Sequence, residues 1–162
     1  MADPVGDIIG DYRAFAAQQH DRLLARGIDI RPYAFSHLCV RMPEWDQYVH
    51  MRSLLERHAT ANHEGVWNGR PISKIVLAAP LEVLDGMSIP NIELIPPVHQ
   101  RVYKMGMEHL GVVVGDEFEA FSRQHRGVLT GQQFQSADVD PVYVLFGSTD
   151  SSTSTTGSRR AS

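Results

Sequence analysis

The stretch "IPNIELIPPVHQRVYKMGMEHLGVVV", Ile89 to Val114, holds two short apolar runs, Asn91–Ile95 and Met107–Val114. Each is bounded by Pro or Gly and has the length of a strand. Each also carries one residue out of character. Glu93 interrupts the first run and His109 the second, and a carboxylate inside a strand costs several kcal/mol unless something pairs with it.

Outward from this stretch, His109 opens a repeat. "HLGVVV" at His109–Val114 echoes "HLCVRM" at His37–Met42. "PEWDQYVHMRSLLERHA" from Pro43 follows the first copy with helical spacing that turns Trp45, Tyr48, Val49 and Leu55 inward. Asp116, with Glu119 three residues on, follows the second copy as a capping box. The Asn68–Gly69 pair predicts a hairpin turn before the strand "ISKIVLAAP". The first half therefore reads β-α-β-β-β over 33–96, and the second starts the same pattern over 106–147. Ahead of both, Val5, Ile8, Ile9, Tyr12, Phe15, Ala16, Leu23 and Leu24 predict one amphipathic helix over 3–27, capped by Asp3 before Pro4 and ended by Gly27. If the second half copied the first, the counterpart of Glu93 would fall beyond residue 162, so the second module is expected to be incomplete. Val142–Phe146 supplies one more strand, and the Ser/Thr-rich stretch 148–162 is expected to be a disordered tail that joins no core. One domain over 1–147 is the expected organisation.

Strand alternation sorts the side chains of each copy. Phe35, His37, Cys39 and Arg41 fall on one face of the first strand and Ser36, Leu38, Val40 and Met42 on the other, which would pack on the following helix. The same logic turns Leu110, Val112 and Val114 inward and His109 to the opposite face, where Glu93 also points. Two His and one Glu converging from three strands would leave positions open on a divalent ion. Two other readings stand beside this one. A strand His is more often a satisfied polar residue than a ligand, and Glu93 has Arg41 and Arg70 as alternative ion-pair partners. Those two arginines would hold an anionic substrate or form structural pairs. The remaining six histidines read as solvated.

Composition narrows the function. With 43% hydrophobic and 21% charged residues the chain can bury one core. The net charge of −4, with 15 scattered basic residues, argues against a nucleic-acid partner. No apolar run approaches the roughly 18 residues of a membrane helix, and "MADPVGDIIG" lacks the basic and apolar regions of a secretion signal. A cytoplasmic location without membrane association is expected. Cys39 is the sole cysteine, so neither an intramolecular disulfide nor a Cys-rich zinc finger is available.

In that order and spacing "FSHLCVR", "NGRPI", "NIELIPP" and "GMEHLGVVV" resemble the YecM-like proteins, a branch of the vicinal oxygen chelate superfamily that includes glyoxalase I, extradiol dioxygenases and bleomycin-resistance proteins. The match is good over about residues 30–115. The resemblance implies an α+β fold of paired β-α-β-β-β modules, forming a curved mixed sheet around a cleft. It implies metal ligands at His37, Glu93 and His109, a divalent cofactor (Zn, Mn, Fe, Ni or Co), and Lewis-acid chemistry of isomerase, lyase or dioxygenase type on a small oxygen-rich anion. The fourth ligand of the family, on its final strand, has no counterpart in this reading. A non-catalytic binding module with a degenerate site is the alternative, and an uncovered sheet edge would favour a homodimer.

Overall fold

Asp3 caps the first helix as the Asp-Pro pair predicts: its carboxylate accepts the Gly6 N–H at 2.9 Å, with Pro4 in the first turn. The computed structural model describes residues 2–67, 69–97, 105–129, 139–144 and 153–158. In it the single helix expected over 3–27 is two, α1 (Pro4–Ile9) and α2 (Tyr12–Leu24). Gly10 breaks the run at φ 96°, and Asp11 starts α2 by accepting the Ala14 N–H. The other elements are β1 (Ala34–Arg41), α3 (Trp45–Glu56), β2 (Ala59–Trp67), β3 (Arg70–Leu84), β4 (Met87–Ile95), β5 (Gly106–Val113), α4 (Phe118–Gln124), β6 (Val139–Val144) and β7 (Thr153–Ser158). No described helix is long and apolar enough to cross a membrane.

The strands form one mixed sheet in the order β2-β3-β4-β1-β5-β7-β6. β1 and β5 run antiparallel at its centre. Outward from each, the next strand is parallel and the one after it antiparallel: β4 then β3 on one side, β7 then β6 on the other. These are the paired modules expected from the sequence, and β2 is the strand whose counterpart the second module lacks among the described residues. Two expectations are thereby corrected. Thr153–Ser158, inside the stretch expected to be a disordered tail, forms β7, and the missing strand is not the last one. Thr-rich sequence suits a strand, and β5 offers it an unpaired edge. The strand expected over Val142–Phe146 is found at Val139–Val144, with Leu145, Phe146 and the turn residue Asn68 outside the described residues.

One core cluster unites Tyr12, Phe15 and Leu23 of α2, Tyr48 and Leu55 of α3 and Phe121 of α4 with Leu38, Val40, Ile75, Ile92, Leu94, Leu110 and Val112 of the sheet. The helices therefore cover one face, and the residues alternating with these strand positions point to the other. Three local expectations fail. Trp45 and Val49 are 48% and 45% exposed, because the buried Tyr48 hydroxyl meets Ser73 Oγ at 2.9 Å and Glu64 Oε2 at 3.1 Å, which fixes the rotation of α3. The capping box at Asp116 does not form: Gly115–Glu117 is a 3-10 turn, and α4 starts after it without a side-chain cap. Phe35 joins the core with Leu38 instead of sharing a face with His37. The cause is a bulge at Ser36, where the β1–β5 register slips between Phe35 and His37.

Candidate metal centre

Strand register assembles the site. Glu93 of β4 lies opposite Cys39 of β1, and Cys39 lies opposite His109 of β5. His37 stands two residues before Cys39 and so shares its face. The three side chains meet on the face away from the helices: His37 Nε2 is 3.1 Å from Glu93 Oε2 and 3.4 Å from His109 Nε2, and His109 Nε2 is 3.8 Å from the same carboxylate oxygen. The circle through these three atoms has a radius of about 2.0 Å, the length of a bond from zinc to imidazole nitrogen or carboxylate oxygen. Two imidazoles and a carboxylate, each between 15% and 20% exposed, thus fit one divalent ion of this size with its solvent side open. His37, Glu93 and His109 also form a group whose ligand atoms all lie within 4.8 Å of one another.

The far nitrogen of each ring is held as well. His37 Nδ1 lies 2.8 Å from Ser36 Oγ, and His109 Nδ1 lies 3.2 Å from Glu108 Oε1. Ser36 and Glu108 are the two residues left over where the β1–β5 register slips, one on each strand. The first bulge is tied down by Asn91, whose side-chain amide donates to the Ser36 carbonyl at 2.9 Å. Gly111, paired opposite His37, leaves room for that ring, because a β-carbon there would overlap both the imidazole and the Ser36 hydroxyl.

Burial alone would raise the Glu93 carboxyl. The hydrogen bond from His37, and the positive charge that His37, His109 and Lys74 can present, outweigh it and hold the group at about 2. Burial likewise opposes ionisation of Glu108, and its bonds to His109 and Arg41 reverse the effect. Burial, then the nearby Glu108 and Glu93 carboxylates, push the Cys39 thiol well above its ordinary value. Cys39 packs with Ile72 and Ile95 beneath the site.

Arg41 and Arg70 are placed differently from each other. The Arg41 side chain is 6% exposed and grips Glu108 through Nε and through Nη2, the latter at 3.3 Å. Arg70 is half-buried at the start of β3, beside the β2–β3 turn. Among the described residues, an exposed cation registered against the site is Lys74, opposite Glu93 on β3. The alternation of Ile72, Lys74 and Val76 against Ser73, Ile75 and Leu77 was a signal for it in the sequence. Ser36 and Glu108 carried no such signal beyond preceding a His in both repeats. Of the histidines read as solvated, His20 is largely enclosed, its side chain 12% exposed between Asp21 and Asp29.

The register also relates β7 to β4. β7 runs beside β5 as β4 runs beside β1, with Val113 opposite Thr156 where the first module has Arg41 opposite Ile95. Counted from those pairs, Ser154, two residues before Thr156, corresponds to Glu93, two residues before Ile95.

Two imidazoles and a carboxylate thus cluster on the open face of a sheet built from paired modules, a donor set that could hold a metal ion. The YecM family model ("YecM protein") matches residues 5–154, and the chain belongs to that family. A solved structure described as "Structural Genomics, Protein EC4020" is similar over 98% of this chain and 89% of its own, with TM-score 0.75 and 20% identity, and shares the fold. Looser likenesses link the chain to a methylmalonyl-CoA epimerase in complex with methylmalonyl-CoA and NH4+ (TM-score 0.49, 14% identity, 78% of this chain and 94% of the other). They extend to a xylose isomerase-like TIM barrel/4-hydroxyphenylpyruvate dioxygenase fusion protein (TM-score 0.42, 11% identity, 79% of this chain and 26% of the other). No curated protein sequence matches the chain.

Proposed function

We propose that this protein binds one divalent metal ion through His37 Nε2, Glu93 and His109 Nε2, and acts with it as an enzyme on a small oxygen-rich anion. The observation that carries the reading is the triangle of ligand atoms, whose sides of 3.1, 3.4 and 3.8 Å leave a metal-sized centre. A bound ion supplies Lewis acidity toward two neighbouring substrate oxygens, the need shared by isomerase, lyase and dioxygenase chemistry. The charges of the chain select the sign of the ligand. Arg41 pairs with Glu108, so of these two carboxylates Glu93 is the one in the ligand triangle, and a divalent ion there outweighs its single negative charge. Lys74, exposed on the neighbouring strand, holds the far end of the anion, with Arg70 at the turn beyond it. Arg41, enclosed and spent on Glu108, serves the site from behind. Zinc, manganese, iron, nickel and cobalt all accept this donor set, and a cytoplasmic site of action suits a chain with one buried thiol.

The test is metal content by mass spectrometry on protein purified without chelators, beside His37→Ala and His109→Ala variants checked by circular dichroism. Near-stoichiometric metal, lost in both folded variants, is the expected result. Ser154 at the position corresponding to Glu93 motivates the second reading, a non-catalytic module with a degenerate site. A wild-type protein that holds no metal and cannot be reconstituted would favour it.

A further inference from the structure

We infer that Ser36 and Glu108 are matched positioning residues, built into the sheet by its two bulges, and that they set the metal affinity of the site unequally. The inference rests on the metal-site reading above. Four observations carry it. Each residue immediately precedes a site histidine, at the same place in the two repeats. Each is the unpaired residue at a register slip between β1 and β5. Each bonds the Nδ1 of its own histidine, at 2.8 Å for Ser36 and 3.2 Å for Glu108. Each is anchored in turn, Ser36 by Asn91 and Glu108 by Arg41.

The bulges explain how neighbouring residues come to touch on one face. In a regular strand Ser36 and His37 would point to opposite faces, as would Glu108 and His109. One extra residue at each slip turns both side chains of each pair the same way. With Nδ1–H directed to Ser36 Oγ or Glu108 Oε1, each ring can offer an Nε2 lone pair to a bound ion, which then takes the place of the hydrogen bond that His37 Nε2 makes to Glu93.

The two partners differ in charge. Glu108 is a carboxylate and Ser36 a neutral hydroxyl, so His109 is the more strongly polarised donor. Arg41 pairs with Glu108 and fixes its direction, which gives a chain from Arg41 through Glu108 to His109. Both residues act through their histidines, so their signature is metal affinity.

The experiment measures the zinc dissociation constant by competition with a chromophoric chelator, and the visible spectrum of the cobalt-substituted protein, for wild type, Glu108→Gln, Glu108→Ala and Ser36→Ala. Glu108→Ala is expected to weaken zinc by about 10- to 100-fold. Glu108→Gln, which keeps an acceptor for Nδ1–H without the charge, should recover part of that loss. Ser36→Ala should weaken zinc less than Glu108→Ala, and it creates no unpaired buried charge, so it reports even if Glu108→Ala fails to fold. The cobalt bands should shift in the folded variants, which a purely structural role would not cause. Wild-type affinity in Ser36→Ala and Glu108→Gln would overturn the inference while leaving the metal site standing. Absence of zinc binding by wild type would overturn both.

Discussion

Gly111 and His37 face each other across the central strand pair, and the imidazole occupies the space that a side chain at position 111 would fill. The glycine is thus part of the site without offering any ligand atom. Gly111→Ala must push the ring, and Ser36 with it, out of position. The expected outcome is a folded protein, destabilised by about 1–3 kcal/mol as overpacked cores are, with zinc affinity reduced at least tenfold. Chemical denaturation and chelator competition on the same sample check the two effects separately. Unchanged affinity would mean that His37 does not need its present orientation.

Cys39 lies under the cluster with no exposed surface. Burial, Glu108 and Glu93 all raise its thiol, so little thiolate exists near neutral pH and reagents cannot reach it. The native protein should react with a disulfide reagent such as Ellman's only at the rate of unfolding, and should release one equivalent at once in denaturant. Fast labelling of the folded protein would contradict this placement.

Away from the site, α3 is fastened to the sheet by Tyr48, Ser73, Glu64 and Arg52. The Tyr48 hydroxyl bonds both Ser73 and Glu64, and Arg52 reaches Glu64 at 2.6 Å. Tyr48→Phe should cost about 1 kcal/mol, read from urea unfolding. The loss would leave metal content untouched, since this network lies on the helix-covered face.

The same network has a pH signature. The Arg52 hydrogen bond, then those of Ser73 and Tyr48, hold the Glu64 carboxyl below its ordinary 4.5 against a smaller opposing effect of burial. A depressed folded value means that the stabilisation is complete above about 4.5 and is lost as pH falls through the folded value. The melting-temperature gap between wild type and Glu64→Gln should therefore be open at pH 7 and close in acid. A gap independent of pH would show that the Glu64 charge contributes nothing. Because Glu64 is 36% exposed, solvent screening keeps the effect small.

The central relationship was readable from the chain because it depends on period-two alternation and one repeat. His37 and His109 head matching apolar runs, and Glu93 sits between Ile92 and Leu94, so all three had to leave the core face. The features that escaped reading depend on departures from regularity. A bulge moves Ser36 beside His37 and sends Phe35 into the core, and no residue type marks where the register slips. The α3 face was misjudged because Tyr48 is anchored by polar bonds to Ser73 and Glu64, which outweigh the apolar surface of Trp45 and Val49. β7 was overlooked because Ser and Thr carry little hydrophobic signal, and its place is set by the hydrogen-bonding edge of β5. Lys74 lies opposite Glu93, and its alternation with Ile72 and Val76 carries that placement in the sequence.

The most direct test of the account is an anomalous-scattering map from crystals grown with zinc and recorded at its absorption edge. The account predicts one strong peak about 2.0–2.2 Å from His37 Nε2, His109 Nε2 and a Glu93 carboxylate oxygen. No peak among these atoms at saturating zinc, or a peak only on surface histidines elsewhere, would contradict it.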